Sequence, residues 1–290
     1  MKKNAKLILG GGAALGLAHI GVLAAIEEHF TITGIVGTSM GAIVGGLYCG
    51  GYTPLEILDI AGSLRKSEIF NPLNLDFTLS GIFDGKSTHK NLDKLTRHAK
   101  IEDAKIPFVA IAYDLITNRS IIIDKGLFVD AMRASSSVPY IYAPYTYGKY
   151  LFVDGGVEHP LPMAFSDEVP GEVSIAVNVL PAVRMQAAHI EIETMGTIPR
   201  FKSHQVFLQS VLQNQGYVAI QAIINNPPNI AIDAYHPKTK VYDFESVLDL
   251  YDWGKTKAAE AIINHNEPDF IDKMLASYQH MLSAIKVLKN

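Results

Sequence analysis

The sequence predicts an α/β protein: a three-layer α/β/α domain on a mostly parallel central sheet. Three observations carry this. Short apolar runs alternate with helical segments through the first half of the chain, and a β-α-β-α order favours parallel strands with right-handed crossovers. Residues 7–26 and 31–55 contain no Asp, Glu, Lys or Arg, which suits strands and helices of a sheet covered on both faces. Hydrophobic residues make up 48% of the 290-residue chain and charged residues 19%; that is ample for a large core and too little charge for disorder. The length would allow two domains, but no repeat, low-complexity tract or linker divides the chain. One domain over 1–290 is expected, with the chemistry-bearing blocks within about 5–165 and a helical C-terminal part over about 201–290.

The elements follow in order. A strand at 7–9 runs into Gly10-Gly11-Gly12 and a helix over about 17–29. A strand at 32–36 meets the sharp turn Gly37-Thr38-Ser39-Met40-Gly41 and an uncharged helix over about 42–49. Thr53-Pro54-Leu55-Glu56 has the form of a capping box with proline at the first helical position, opening a helix to about Lys66. Periodicity vanishes from Glu68 to Lys86. Phe70, Leu73, Leu75, Phe77, Ile82 and Phe83 there predict either a mobile apolar flap beside a lipid pocket or a loop packed permanently on the core. Ser87 is placed to cap a helix to about Ala99. Strands at 106–113 and 119–124 read as a hairpin, residues 127–135 as a helix, and 145–147 with 150–153 as a second hairpin ending in Asp154-Gly155-Gly156. A strand at 173–179, a patternless stretch at 181–200, helices over about 203–224, 246–265 and 268–288, and a strand at 230–233 complete the chain.

Composition excludes several functions. With 25 Lys+Arg against 29 Asp+Glu the net charge is −4, so the basic footprint of a nucleic-acid binder is missing. Cys49 is the one cysteine; it can form neither an internal disulfide nor a Cys-based metal site, and its apolar surroundings predict a buried, inert thiol. A reducing, cytoplasmic setting is expected. The start of the chain superficially resembles a signal peptide, and Gly37, Gly41 and Gly45 have the spacing of transmembrane helix contacts. A three-glycine run directly after a strand-like segment breaks any such helix, and a strand-to-helix loop explains it better.

The chemistry centres on G-x-S-x-G between an apolar strand and an apolar helix. A nucleophile on so sharp a turn needs small flanking residues, here Gly37 and Gly41, and a helix N-terminus favours a developing alkoxide on Ser39. The Gly10-Gly11-Gly12 loop can cradle an anion with its N–H groups. Ala13 stands where a dinucleotide fingerprint starting at Gly11 needs glycine, and no G-K-[ST] follows. Paired with a serine elbow, the loop reads as an oxyanion hole. Among ten histidines, His236, His265 and His280 satisfy the order Ser…Asp…His without a supporting motif. Asp154 ends a strand ahead of Gly155 and Gly156, at the carboxyl edge where open α/β sheets carry their sites; the alternative is an ordinary turn residue.

These elements together resemble the patatin-like phospholipase family. Leu9-Gly10-Gly11-Gly12…Gly16-Leu17-Ala18-His19-Ile20-Gly21 is similar to its glycine-rich oxyanion block, and Gly37-Thr38-Ser39-Met40-Gly41-Ala42 to its nucleophile elbow. Ala131-Met132-Arg133-Ala134-Ser135-Ser136-Ser137-Val138-Pro139 resembles a further block, and Val153-Asp154-Gly155-Gly156-Val157 with Pro160-Leu161-Pro162 resembles its D-G-[AG] block. The resemblance implies a Ser39–Asp154 dyad without histidine, an oxyanion hole from the amides of Gly10, Gly11, Gly12 and Ala13, no metal and no cofactor. It also implies a lipid or acyl-ester substrate, phospholipase A or lysophospholipase chemistry, and peripheral contact with a membrane surface. Three positions depart from the pattern: Ala13 replaces a frequent fourth glycine, Leu15 an Arg or Lys, and His159 a frequent asparagine. Leu15 either packs beneath the glycine loop or, by removing a cation from the rim, favours neutral esters. The competing functions are a non-catalytic acyl-lipid or protein-binding relative and a Ser-His-Asp hydrolase. Nothing in the sequence bears on oligomeric state.

Overall fold

The computed structural model describes residues 2–63, 81–83, 85–181 and 203–265. Its elements are β1 (Lys3–Leu9), α1 (Ala18–His29), β2 (Phe30–Thr38), α2 (Met40–Cys49), α3 (Pro54–Ser63), β3 (Gly81–Phe83), α4 (Lys86–Thr96), β4 (Phe108–Asp114), β5 (Arg119–Ile123), α5 (Phe128–Ser135), β6 (Tyr140–Tyr142), β7 (Tyr145–Tyr147), β8 (Tyr150–Asp154), β9 (Val173–Asn178), α6 (Ser203–Asn225), β10 (Ile230–Asp233) and α7 (Val247–His265). The eight-stranded sheet runs β10-β9-β1-β2-β4-β8-β7, with β5 also paired to β4. From β10 to β4 every pairing is parallel; β5, β7 and β8 join antiparallel.

Period-two alternation in β1 explains the layering. Ala5, Leu7 and Leu9 enter the core that holds Ile20 and Leu23 of α1, Val44 of α2, and Leu250 and Ala258 of α7. Ile8 points the other way, into a cluster with Ala176 of β9, Met163, and Ala219 and Ile223 of α6. Both faces of Leu7–Leu9 are therefore covered, which is why that half of the strand carries no charge while Lys3 and Lys6 lie in the half before it. Helices α1 and α7 approach at two glycines. A methyl on Gly21 would lie 1.9 Å from the Tyr251 carbonyl oxygen, and one on Gly254 2.0 Å from that of Ala18.

The capping box at α3 is formed. Glu56 Oε2 accepts the Thr53 N–H at 2.8 Å, and Thr53 Oγ1 accepts the Glu56 N–H at 3.3 Å. Two expectations need correction. Ser87 lies inside α4, whose N-cap is Gly85 at φ 73; a Cβ there would run into the buried Arg133 guanidinium, so glycine takes the turn that serine cannot. Residues 81–83, read as part of an irregular loop, instead form β3, parallel to β6 with Gly81 opposite Tyr140 and Phe83 opposite Tyr142. The rest of the expected flap, residues 182–200, the 268–288 helix and His280 lie outside the described residues. Among the described residues no helix is long and apolar enough to cross a membrane.

Candidate active site

Strand register brings Ser39 and Asp154 together. Strand β2 pairs with the first half of β4, ending at Thr38 opposite Ile111. Strand β8 runs the opposite way along the second half and ends at Asp154 opposite Ala112. Since β5 pairs with residues 110–114, β2 and β8 share the other edge and meet end to end. Ser39 follows the end of one strand and Asp154 is the end of the other. Gly155 permits this crowding, because a Cβ there would lie 2.2 Å from the Ile111 carbonyl oxygen.

Ser39 occupies a left-handed turn, φ 56 and ψ −121, which costs a non-glycine residue strain of order 1–3 kcal/mol. Its surroundings over-determine the conformation. Its carbonyl accepts the N–H groups of Ala42 and Ile43 at 3.0 and 3.1 Å. Its own N–H donates to Ser135 Oγ at 2.9 Å, and that hydroxyl donates to the Ile111 carbonyl at 2.6 Å. The flanking glycines are sterically required: a Cβ on Gly37 would lie 2.6 Å from the backbone of Gly41 and Ala42, and one on Gly41 2.3 Å from the Leu9 oxygen.

Asp154 is 4% exposed. Its Oδ1 accepts the Gly156 N–H at 2.7 Å, while Oδ2 is buried with no partner among the described residues. Burial pushes its pKa up to about 6, opposed by the nearby Ser39 hydroxyl and the Gly156 amide. Ser39 is thus close enough to favour the carboxylate without forming a well-aligned hydrogen bond to it, a loose arrangement common in sites without substrate. Behind Asp154, its N–H donates to the Ser137 carbonyl at 2.9 Å. Ser137 Oγ in turn accepts from Arg133 Nη1 at 2.6 Å, and the Arg133 guanidinium lies 4.8 Å from the Tyr142 ring centre.

The four glycine-loop amides are not equivalent. The N–H of Gly10 donates to Val177 O at 3.1 Å and that of Gly11 to Pro160 O at 2.8 Å. Both are consumed by the fold, which corrects the expectation that all four amides are available to an oxyanion. The N–H groups of Gly12 and Ala13 have no acceptor among the described residues. Ala13 sits at φ 49, a left-handed conformation that glycine adopts more readily than alanine. Leu15 is 1% exposed and packed in the main core rather than at a rim; of its two readings, the structure supports packing.

Ser39, Asp154, Gly12 and Ala13 all line one cavity of about 710 Å³. Helix α2 presents Met40, Ile43, Val44 and Leu47 to it, α3 presents Ile57, Ile60 and Ala61, and α4 presents Thr88, Asn91, Leu92 and Leu95. These are i, i+3, i+4 stripes that in most helices would bury against a neighbour; here three of them face a hollow. Helix α6 closes another side, with Gln215 Nε2 donating to the Gly156 carbonyl at 2.9 Å. Sequence reading missed Gln215, Ser135 in its hydrogen-bonding role, and His19. Their signals were weak, since the hydrogen bonds that mark them, with Gly156, with the Ser39 N–H and with Gly10, form only in the tertiary fold. No histidine among the described residues lines the cavity. His236 is held by Thr239 and lies edge-on to Trp253, and His265 ends α7. The described residues contain no group of three or more His, Cys, Asp or Glu side chains suited to a metal ion.

Several known proteins are similar to this chain. An uncharacterized NTE family protein of Mycobacterium bovis is 36% identical over 174 residues, 60% of this chain and 48% of that protein. The lysophospholipase NTE1 of Debaryomyces hansenii is 31% identical over 60% of this chain and 12% of its own length. The patatin-like phospholipase domain-containing protein 6 of Mus musculus is 28% identical over 60% of this chain and 13% of its own. The matched region thus spans about half of the mycobacterial relative and about an eighth of the others. The crystal structure of VipD from Legionella pneumophila overlays 91% of this chain and 67% of its own at 11% identity and a TM-score of 0.46. The profile of the patatin-like phospholipases matches residues 7–165, a span that takes in the glycine loop, the serine turn and the strand end at Asp154. By that match over more than half its length, the chain belongs to the patatin-like phospholipase family.

Proposed function

We propose that this protein is a serine lipid acyl hydrolase of lysophospholipase type, working through a Ser39–Asp154 dyad. The observation that carries the reading is the meeting of Ser39 and Asp154 on the wall of an apolar cavity, at the ends of two strands sharing one edge of β4. The lysophospholipase name of the yeast relative supports the substrate class.

In the proposed cycle the Asp154 carboxylate takes the Ser39 hydroxyl proton as Oγ attacks the ester carbonyl. The amides of Gly12 and Ala13 receive the oxyanion, each such donor contributing roughly 3–4 kcal/mol. The tetrahedral adduct collapses and the protonated Asp154 returns its proton to the departing alcohol. Water then attacks the acyl-enzyme, Asp154 accepting its proton and passing it back to Ser39 as the fatty acid leaves. A carboxyl pushed up to about 6 by burial is a better matched base than an exposed one with a pKa of roughly 4. The stripes of α2, α3 and α4 accept the acyl chain, and the polar head stays toward the mouth, where the enzyme meets a lipid surface.

Fluorophosphonate labelling tests the reading. Wild type should be labelled on Ser39 and release fatty acid from a lysophospholipid, and Ser39→Ala should do neither. Full hydrolysis by Asp154→Asn, with loss in a histidine variant instead, would return the assignment to a Ser-His-Asp hydrolase. A folded protein that binds fatty acid but neither labels nor hydrolyses would be the non-catalytic relative.

A further inference from the structure

His19, in the first turn of α1, is fully buried. Its Nε2 lies 2.7 Å from the Gly10 carbonyl oxygen. A carbonyl oxygen only accepts, so Nε2 carries the hydrogen; in the neutral ring Nδ1 then bears the lone pair. That Nδ1 is buried without a partner among the described residues. Burial holds the His19 pKa down to about 4, against the opposing pull of the Gly10 carbonyl, so the ring is uncharged at neutral pH. A leucine would fill similar space without burying an unpaired nitrogen, so packing alone does not account for histidine at this position.

What the ring holds is the glycine loop. Gly10 is tied through its N–H to β9 at Val177 and through its carbonyl to α1 at His19, while Gly11 is tied through its N–H to Pro160, beyond Asp154. The next two amides, Gly12 and Ala13, are the unpaired ones. The tied stretch lies directly against the nucleophile, since a Cβ on Gly11 would stand 3.1 Å from Ser39 Cβ. Gly16, just before the ring in the chain, packs on the start of α2: a Cβ there would be 2.5 Å from Met40 Cγ, with His19 Cδ2 3.6 Å away as a further contact. One ring therefore ties the loop that carries the free amides to α1, and the same loop packs against the nucleophile.

We propose that His19 is a positioning residue whose Nε2–H latches the Gly10 carbonyl and so holds the Gly12 and Ala13 amides in place for the oxyanion that forms on Ser39. The inference rests on the serine hydrolase reading and adds to it a side chain that never touches substrate. It acts on the transition state alone, because the ground-state ester needs neither amide strongly.

The test compares His19→Leu and His19→Gln with wild type on a short soluble ester. Loss of the latch should lower kcat about 100-fold in His19→Leu, the order expected for a displaced oxyanion donor. KM should change little, and fluorophosphonate labelling should slow in parallel. Gln places an N–H near the former Nε2 and should recover most of the rate, with the acid limb of the pH profile unmoved. Wild-type kcat in a folded His19→Leu overturns the latch, as does equal loss in folded Gln and Leu variants. A moved acid limb in His19→Gln also overturns it, because His19 would then be titrating in the reaction. If neither variant folds, imidazole ¹⁵N spectra of the wild type decide the matter. The latch requires an Nε2–H tautomer, uncharged at pH 5.5, whose signal shifts when a phosphonyl group occupies Ser39; an Nδ1–H tautomer or an unmoved signal refutes it. Absence of hydrolysis and labelling in the wild type removes the hydrolase reading and the latch with it, whereas an active, labelled wild type with a dispensable His19 removes the latch alone.

Discussion

Replacing Asp154 with asparagine should abolish hydrolysis and, above pH 6, stabilise the protein. The fold holds the carboxyl in a buried site and raises its pKa from 3.8 to about 6. Between those values the native state binds a proton that the unfolded chain has lost, so stability falls as pH rises through this window. Two pH units at 1.36 kcal/mol each give a cost of about 3 kcal/mol, fully present at pH 7 and absent below pH 4. Asparagine removes that cost at every pH while its Oδ1 can still accept the Gly156 N–H that Oδ1 of Asp154 accepts at 2.7 Å, and its N–H₂ can face Ser39. Urea unfolding of both proteins from pH 4 to pH 8 measures the effect. The stability difference should be near zero at pH 4, grow through pH 5 and 6, and level off near 3 kcal/mol in favour of asparagine. A difference independent of pH, or a variant less stable than wild type at pH 8, would refute the claim that burial of an ionised Asp154 strains the fold.

The same group predicts the wild-type activity profile: kcat/KM should fall below an acid limb near pH 6, and a flat profile from pH 5 to 8 would exclude Asp154 as base. Ser135→Ala removes both the acceptor of the Ser39 N–H and the donor to Ile111; we expect a loss of about 1–3 kcal/mol in unfolding experiments together with slower labelling of Ser39. Leu47 and Leu95 both line the cavity and are joined through Tyr52, their carbonyls accepting its N–H and hydroxyl at 3.2 and 2.6 Å. Leu47→Phe should therefore depress hydrolysis of long-chain esters while sparing a butyrate ester, read from kcat/KM across a chain-length series. Leu15→Arg places an unpaired cation in the core and should cost about 3–5 kcal/mol of stability; a folded variant with unaltered melting and a new preference for anionic lipid would restore the rim role.

The sequence by itself determined the layered α/β frame and singled out the residues proposed to carry the chemistry. Uncharged strands and helices have few ways to leave water other than a sheet covered on both faces, so residues 7–26 and 31–55 announced their architecture. Gly37, Ser39 and Gly41 were legible because the clash they avoid is local: a Cβ at either glycine meets backbone only a few residues away or on the adjoining strand. Thr53 and Glu56 were legible for the same reason, since a capping box closes within four residues. What only the tertiary structure decided depends on partners distant in the chain. Gly10 and Gly11 look like free donors until Val177 and Pro160, about 150 residues away, take their N–H groups. Gly81–Phe83 has no strand signal because it and its partner, β6, are three residues each and some sixty residues apart. Leu15 reads equally as a packing residue beneath the glycine loop or as a change at its rim, and only the assembled core, in which its side chain is buried, decides for packing. The buried state of Asp154, which sets its pKa, comes from two strands meeting on one edge of β4; strand order is a property of the assembled sheet, and period and spacing along the chain do not encode it.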